Sequence, residues 1–463
     1  MPSEELPAPV GAALPDAGKT DRSWKTSAAD WLQFIRSVLF NGVVIAAIVG
    51  VVVFTVKDIW RQPVIIEKFG LPEALTQRGF SGAVAAQRVW DAMTGIQEKA
   101  DTLKQTTSLL AESRQLDVVE PGTGLSLRSL TQMLRSLAGI EQTRIAGEVV
   151  CGSPDCDWQY LDLRLRVFAG GRMHIINSGP VEGRDPDVLF QQLALEALKI
   201  IDPYVYAAYH FAQGSDQAEA VRLANQMVDT RHPQSAWAAN LLGNSAQVAG
   251  LHEEAIEWFE RSARIAEDLG PRRFALPHYG RGNSLFALER YDDALRAFEQ
   301  AIRYDRRYAA PQYGKGQALM ALERYEDAAA AFRKASELDR SEPANWTGLG
   351  DAMVRMEDTE NAVEHLQRAV RLNAEFVPAR LALGRLLTKR GESAAAVRHL
   401  KLVTEIAPDL VPAWDSLASA FTAAGEEDEA EEAIQRAAEL RLKQLGQLGG
   451  NLLIGWGLMT PSQ

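Results

Sequence analysis

The sequence predicts a mostly α-helical protein in which a single N-terminal transmembrane helix, a small α+β domain and a solenoid of paired helices follow one another. The solenoid is indicated by an alanine that recurs at intervals of 35, 39, 34, 34, 34 and 34 residues. Each alanine follows a small residue by 12 positions and precedes an apolar residue by four. A period near 34 residues is typical of stacked helical pairs. The seven alanines are Ala220, Ala255, Ala294, Ala328, Ala362, Ala396 and Ala430.

The first 61 residues predict a disordered tail and a membrane anchor. Residues 1–30 contain four prolines and few large apolar side chains, so we expect no folded structure there. Residues 31–61 form the expected anchor, because residues 38–56 are 19 consecutive residues without a charge. With a rise of about 1.5 Å per residue, such a helix spans about 28 Å, close to the thickness of the hydrocarbon core. No small-residue cleavage pattern follows, which predicts a permanent single pass.

The side of the membrane is predicted from the cysteines, because the basic residues that flank the span are balanced. The chain has two cysteines, Cys151 and Cys156, on either side of a turn between apparent strands. Three interpretations are open: a disulfide across a hairpin, two inert thiols, or half of a zinc site. We favour the disulfide, which persists in oxidising compartments. It predicts a bacterial inner-membrane protein whose soluble part lies in the periplasm.

Residues 62–200 predict a compact α+β domain. Residues 81–102 and 186–201 have the apolar spacing of amphipathic helices. The segment YLDLRLRV, residues 160–167, alternates apolar and polar side chains. One face of this strand is therefore expected to be buried and the other exposed to solvent. Further strands are expected at RIAGEVV and RMHIINS.

The repeats contain recognisable motifs. ALERYDDALRAFEQAI from Ala287 and ALERYEDAAAAFRKAS from Ala321 are nearly the same segment, and WTGLG stands at residues 346–350. These motifs resemble the tetratricopeptide repeat family over about residues 202–442. Together with the expected anchor, the chain looks like a membrane-anchored bacterial tetratricopeptide repeat protein.

The resemblance implies a right-handed solenoid of about six to seven repeats over residues 201–442, followed by a C-terminal tail at 443–463. It also implies that the first helix of each pair lines a concave face, with its second, fifth, ninth, twelfth and thirteenth residues pointing inward. Amides there can donate and accept hydrogen bonds along an extended peptide, and tyrosines add contact area of the kind enriched at interfaces. Bases can hold a carboxylate.

The candidate partner-binding residues at these inward-pointing positions are amides, tyrosines and, in the later repeats, bases. They are Asn240, Asn244, Tyr279, Asn283, Tyr313, Gln317, Arg355, Arg385 and Lys389. The same residues can also be ordinary surface side chains, and that interpretation stays open.

No feature of the sequence indicates catalysis. The seven histidines are scattered, without two at metal-ligand spacing on one helix. A nucleophile elbow, a phosphate loop and a dinucleotide-binding fingerprint are all absent from the sequence. The net charge of −12 disfavours binding to phosphate backbones. We therefore expect no enzyme activity, no cofactor, no metal site and no nucleic-acid partner.

The predicted function is a membrane-tethered scaffold that binds peptide segments or partner proteins through the concave face. We expect it to serve assembly of a bacterial envelope, secretion or polysaccharide system, as such repeats often do. The alternative is an enzyme or sensor whose active part is the 62–200 domain, with the repeats as an accessory module. An apolar C-terminal segment at 449–459 also allows self-association.

Overall fold

A computed structural model describes residues 64–100, 102, 109–111, 133, 135–137, 139, 141–151, 161–179, 186–269 and 274–456. The chain divides into two compact units, Met1–Val205 and Tyr206–Gln463. The described residues of the first unit contain a small sheet with helices, and those of the second unit form an array of helices. The predicted mostly helical class with a helical repeat array is confirmed at this level.

The first unit is built on a five-stranded sheet of order β2-β1-β3-β4-β5. Strand β1 pairs in parallel with both β2 and β3, whereas β3, β4 and β5 pair in antiparallel fashion. The strands are β1 (Val64–Ile66), β2 (Leu109–Ala111), β3 (Arg144–Cys151), β4 (Leu161–Ala169) and β5 (Arg172–Asn177). Helices α1 (Glu73–Gln77), α2 (Gly82–Lys99) and α3 (Pro186–Ile201) of this unit lie within the described residues.

Strand β4 has the alternating burial that its sequence predicts. Its buried side chains are Leu161, Leu163, Leu165 and Val167, and the residues between them are half-buried. Helix α3 contacts both β4 and α2, so these apolar side chains lie on the helical side of the sheet. On the other side, Arg164 and Arg166 pair with the Glu148 carboxylate of β3 at 3.2 and 2.8 Å. The prediction of one buried and one hydrated face is therefore confirmed.

The second unit consists of helices that contact their sequence neighbours in turn. Helix α4 (Pro203–Gln213) crosses the boundary between the units and is followed by α5 (Gln217–Asp229). The following pairs are α6 (Ser235–Val248) with α7 (His252–Leu269), α8 (Leu276–Ala287) with α9 (Tyr291–Tyr304), α10 (Ala310–Ala321) with α11 (Tyr325–Leu338), α12 (Pro343–Arg355) with α13 (Thr359–Leu372), α14 (Val377–Lys389) with α15 (Ser393–Ile406), and α16 (Val411–Ala424) with α17 (Glu427–Trp456).

The turns inside six of these pairs share one backbone conformation. A single residue of each turn lies in the left-handed region, with φ between 59° and 80°. The next residue donates its N–H to the carbonyl five positions earlier, as from Arg324 to Leu319 at 2.9 Å. This bond is the helix-ending Schellman arrangement, which satisfies carbonyls that the helix leaves free. The left-handed residues are Gly250, Glu289, Glu323, Glu357, Gly391 and Gly425.

Neighbouring pairs interlock through a phenylalanine that lies between two glycines. The buried Phe332 ring is so close to Gly316 and Gly348 that a Cβ on either glycine would lie 2.6 Å from a ring atom. Phe298 has the same arrangement with Gly282 and Gly314, and Phe259 with Gly243 and Gly280. The ring thus contacts the first helix of its own pair and the first helix of the next pair.

The later pairs use a smaller side chain at the same place. Leu366 contacts Gly350 of its own pair, and the residue of the next pair that corresponds to Gly348 is Ala382. Leu400 likewise contacts Gly384, with Ser416 in the corresponding position of the next pair. Phenylalanine therefore occurs with two glycines, and leucine with one glycine and a larger residue.

The predicted localisation requires a correction. Among the described residues, none of the helices combines the length and the apolar character needed to cross a bilayer. The predicted span at 38–56 and the predicted tail at 1–30 lie outside the described residues. The assignment as a single-pass inner-membrane protein with a periplasmic soluble part is therefore withdrawn.

The predicted disulfide lies at the edge of the described residues. Cys151 ends strand β3 and is not a free thiol, whereas Cys156 lies outside the described residues. The Cys151–Cys156 bond thus stays a prediction. At the other end of the chain, helix α17 continues to Trp456, beyond the predicted end of the repeats at 442.

Candidate functional site

The first helices of the pairs form one continuous layer. Helix α8 contacts α6 and α10, and the same relation holds for α12, α14 and α16 in turn. Second helices of neighbouring pairs make at most slight contact within the described residues. An array whose first helices are closer together than its second helices curves with the first helices on its inner side. This inner side is the concave face, and the candidate residues lie on the helices that form it.

A groove of about 700 Å³ lies on the concave face where four successive first helices meet. We call it the C-terminal groove. Apolar side chains of α10, α12 and α14 are part of its lining, together with charged and hydroxyl side chains of α12, α14 and α16. The lining residues are Met320, Asp351, Val354, Arg355, Pro378, Leu381, Ala382, Arg385, Leu386, Thr388, Lys389, Asp415, Ser416 and Ser419.

The structure brings the three predicted bases together in this groove. Arg385 is held in place by Ser416, whose hydroxyl oxygen accepts from its Nε at 2.8 Å. Arg355 lies over the Tyr325 ring, with its guanidinium carbon 4.4 Å from the ring centroid, and donates to the phenol oxygen. Lys389 is exposed in the last turn of α14 and has no ion pair within the described part of the chain. Arg355 and Arg385 are therefore oriented by neighbouring side chains, whereas Lys389 is not held by an ion pair among the described residues.

The two acids of the groove differ in their surroundings. Asp415 forms an ion pair with Arg441 of α17, with 2.6 Å between nitrogen and oxygen, so its charge is largely compensated. Asp351 is the ninth residue of its repeat's first helix and has no hydrogen bond or ion pair among the described residues. Burial raises the pKa of the Asp351 carboxyl to about 6, and the nearby Arg385 charge opposes this rise. The lining of the groove thus contains three cationic side chains, the ion-paired carboxylate of Asp415 and the poorly solvated carboxylate of Asp351.

The tyrosines lie farther toward the N-terminal end of the concave face and are less exposed than their sequence positions suggest. The Tyr313 ring is 5.4 Å from the Phe332 ring, and its hydroxyl accepts a hydrogen bond from Gln317 at 3.3 Å. Burial raises the pKa of the Tyr313 phenol. The Tyr279 ring meets the Tyr308 ring edge to face at 5.4 Å. These tyrosines therefore support the core and present only part of their area to a ligand.

Tyr308 and Tyr313 border a second cavity of about 490 Å³, which also reaches Glu342 and Asn345 of the next repeat. Burial raises the pKa of the Tyr308 phenol above its usual range. Tyr308 was not among the candidates, because it precedes the first helix and does not follow the helical phase. No periodic signal in the sequence would have found it.

The predicted asparagines are not equivalent. Asn240 is 5% exposed, and its Oδ1 atom has no hydrogen-bond partner among the described residues. Asn244 and Asn283 are half-buried on α6 and α8. The neighbouring Gln247 is occupied within the fold, since it donates to the Gly280 carbonyl at 3.3 Å. Asn244 and Asn283 are therefore partly accessible on the concave face, whereas Asn240 is not.

Three further residues of the groove occupy inward-pointing positions of their repeats but were not predicted as binding residues. Leu381 and Asp415 occupy the fifth position of their first helices, and Ser419 occupies the ninth. Applying the same spacing to the last two repeats would have named all three. Within the described residues, no group of three or more histidine, cysteine, aspartate or glutamate side chains could hold a metal ion.

Comparison with solved structures finds similar helical arrays. A structure of MamA, residues 41 to the end, from Desulfovibrio magneticus RS-1 is 22% identical, covers 38% of this chain and 96% of that chain, and has a TM-score of 0.33. The crystal structure of YrrB, described as a TPR protein with an unusual peptide-binding site, is 24% identical, with 41% and 96% coverage and a TM-score of 0.33. The structure of pilF from Pseudomonas aeruginosa is 20% identical, with 46% and 92% coverage and a TM-score of 0.40.

Comparison with curated proteins finds no match. Family models give the clearest result. Three tetratricopeptide repeat models match residues 234–307, 279–343 and 353–421. Tetratricopeptide repeat proteins are generally scaffolds that bind proteins or peptides. Residues 234–343 and 353–421 of the array are therefore similar to tetratricopeptide repeats.

Proposed function

We propose that the chain binds an extended segment of a partner protein along the concave face, with the main contact in the C-terminal groove. The observation that supports this most directly is the convergence of Arg355, Arg385 and Lys389 on a groove with apolar walls. Pockets that are largely apolar and contain a few oriented polar groups are the usual form of a binding site. The proposed role is binding and not catalysis.

The groove favours an acidic segment that also carries apolar side chains. Asp415 is compensated by Arg441, so the cations outnumber the uncompensated carboxylates in the lining. Arginine can hold a carboxylate with two parallel hydrogen bonds, and Arg385 is already oriented by Ser416. The walls formed by Met320 and Leu381 would contact apolar side chains of the same segment.

Toward the other end of the concave face, Asn244, Asn283 and Gln317 would bind the backbone of the same segment, because amides both donate and accept hydrogen bonds. Tyr279 and Tyr313 would add partial contact area. For the process served, we propose assembly of a bacterial envelope, secretion or polysaccharide system, which is the role predicted from the repeat class.

The proposal is tested by site-specific photo-crosslinking of the full-length protein in cells. A photo-reactive phenylalanine analogue replaces Ser419, which is exposed in the groove, or Ala394, which is exposed on the second helix α15. We expect discrete crosslinked partners from position 419 and not from position 394. Charge reversal by Arg385→Glu should remove them, whereas Arg398→Glu on α15 should not. The same partners at both positions, or partners that persist in Arg385→Glu, would place the binding surface elsewhere.

A further inference from the structure

Asp351 is the one carboxylate of the C-terminal groove that has no partner within the part of the chain that the structure describes. It lies on α12 at the wall of the groove, mostly removed from solvent, with the positive charge of Arg385 across from it. A carboxylate in such a place depends on nearby positive charge to stay ionised, because burial disfavours its charged form. Any ligand that competes for that positive charge will therefore change the protonation of Asp351.

The groups that face Asp351 come from every helix around the groove. Helix α10 contributes Tyr313, whose phenol pKa is raised by burial and by the Asp351 charge. Arg355 lies on α12 itself, Arg385 and Lys389 lie on α14, and Asp415 of α16 is paired with Arg441.

Two histidines are close to these residues in the sequence, and burial lowers the pKa of both imidazoles from the ordinary value of histidine. His365 and His399 belong to α13 and α15, and neither lines the groove. Asp351 does line the groove, and burial raises the pKa of its carboxyl to about 6.

We infer that the C-terminal groove takes up an acidic segment together with one proton, which is carried by Asp351. The inference rests on the proposed function. When a ligand carboxylate binds Arg385, the Asp351 charge loses part of its compensation and gains a like charge as a neighbour. Two carboxylates that share one site cannot both remain ionised without cost, and the pKa of one of them is raised. The half-buried Asp351 is the one that takes the proton.

The pH dependence of the affinity follows from the coupling between binding and protonation of Asp351. Asp351 is already half-protonated near pH 6 in the free groove. Above that pH, binding requires up to one proton from solution, so the affinity falls by at most about tenfold for each pH unit. Below about pH 5 nearly all of the carboxyl is protonated before binding, and the affinity becomes independent of pH. Mild acidification therefore strengthens binding.

The probe for this inference must keep its own charge constant. A synthetic peptide of alternating leucine and cysteic acid, with an acetylated N-terminus and an amidated C-terminus, meets this need, because its sulfonates stay ionised at every pH used and it has no other titrating group. Its affinity for the full-length protein is measured by calorimetry between about pH 5.5 and pH 8. Repeating the titration in two buffers with different heats of ionisation gives the number of protons taken up.

We expect the wild-type protein to bind the peptide at least several-fold more tightly at the acid end, with net proton uptake at the alkaline end. Asp351→Asn should bind tightly across the range and take up no proton. Asp292→Asn, which neutralises an exposed acid on α9, should behave as the wild type. The proton count is obtained on the wild-type protein, so it does not depend on how well any variant folds.

The outcomes separate the inference from the function on which it rests. If Arg385→Glu abolishes binding but the wild-type protein takes up no proton, the inference is overturned and the proposed function stands. The same conclusion holds if Asp351→Asn shows the pH dependence of the wild type. A peptide that does not bind, or that binds equally well to Arg385→Glu, contradicts the proposed function itself.

Discussion

At the scale of single residues, the packing of the array depends on how well one side chain fits between two helices. The Phe332 ring lies between Gly316 and Gly348, and a Cβ at either glycine would overlap it. Phe332 and Tyr313 are in contact, yet only Phe332 is fully buried. The two aromatic residues therefore differ in what they contribute to stability, although they are similar in size.

We predict that Phe332→Ala lowers the free energy of unfolding by about 3–5 kcal/mol, because it leaves a cavity between two repeats. Tyr313→Ala should cost less, since part of that ring is already in contact with solvent. Thermal and denaturant unfolding of the full-length protein measures both. Equal losses would mean that the ring between the glycines is not the principal contact.

A double-mutant cycle tests the fit more sharply. Gly348→Ala alone should be destabilising, because its Cβ would meet the Phe332 ring. In the Phe332→Leu background, the same change should cost little, because leucine opposite alanine is the combination that Leu366 and Ala382 already use. The predicted sign is a favourable coupling between the two substitutions, of the kind that contacting residues show. Strictly additive effects would contradict the fit described for this interface.

At the scale of the element, the repeat turn shows which features a sequence can predict. The period predicts where each helix pair begins and ends, because small and large residues recur in phase through local spacing. The same period predicts that Arg355, Arg385 and Lys389 lie on the concave face, and all three line one groove. The burial of Asn240 and the pairing of Asp415 with Arg441 depend on neighbours in other helices, and local spacing contains no information about them.

The sheet of the first unit shows the same limit. The sequence predicts the alternation of β4, because alternation is a property of one strand. It does not predict that β1 pairs in parallel with both β2 and β3. That arrangement joins segments distant in sequence, and no residue pattern within one strand records the identity of its neighbours.

The left-handed turn residue gives a prediction at this scale. Glu289, Glu323 and Glu357 have φ values of 59°, 59° and 63°, where a side chain is disfavoured. We expect Glu323→Gly to stabilise the array by about 0.5–1 kcal/mol, because the strain relieved exceeds the entropy that glycine adds to the unfolded chain. Gly391→Ala, at the corresponding turn with φ of 77°, should destabilise by about 1 kcal/mol. The denaturation midpoints of both variants measure these changes in stability. A shift in the same direction for both would contradict the role assigned to the left-handed turn residue.

At the scale of the whole array, the last helix affects the charge of a groove that it does not line. Arg441 of α17 compensates Asp415 of α16 at 2.6 Å. We expect Arg441→Gln to weaken binding of the leucine–cysteic acid peptide several-fold at low salt, because Asp415 then repels it. The loss should shrink at about 1 M salt, where charges are screened within about 3 Å.

The control for this prediction removes both members of the ion pair. Asp415→Asn combined with Arg441→Gln should restore wild-type affinity, since the net charge at the groove returns to its original value. If the double variant binds as weakly as Arg441→Gln alone, the arginine acts through the packing of α17 and not through charge.

The change from phenylalanine to leucine interfaces along the array also limits how the chain can change in length. A tandem array gains or loses units by recombination between similar segments, and each event must leave compatible surfaces at the new junction. Removing residues 299–332 would leave Phe298 facing Gly348, a combination that the array already contains. Removing residues 333–366 would instead place Phe332 against Ala382, where there is no room for the ring. The array thus consists of two internally exchangeable blocks, and the boundary between them is the place where duplication or loss of a repeat is least tolerated.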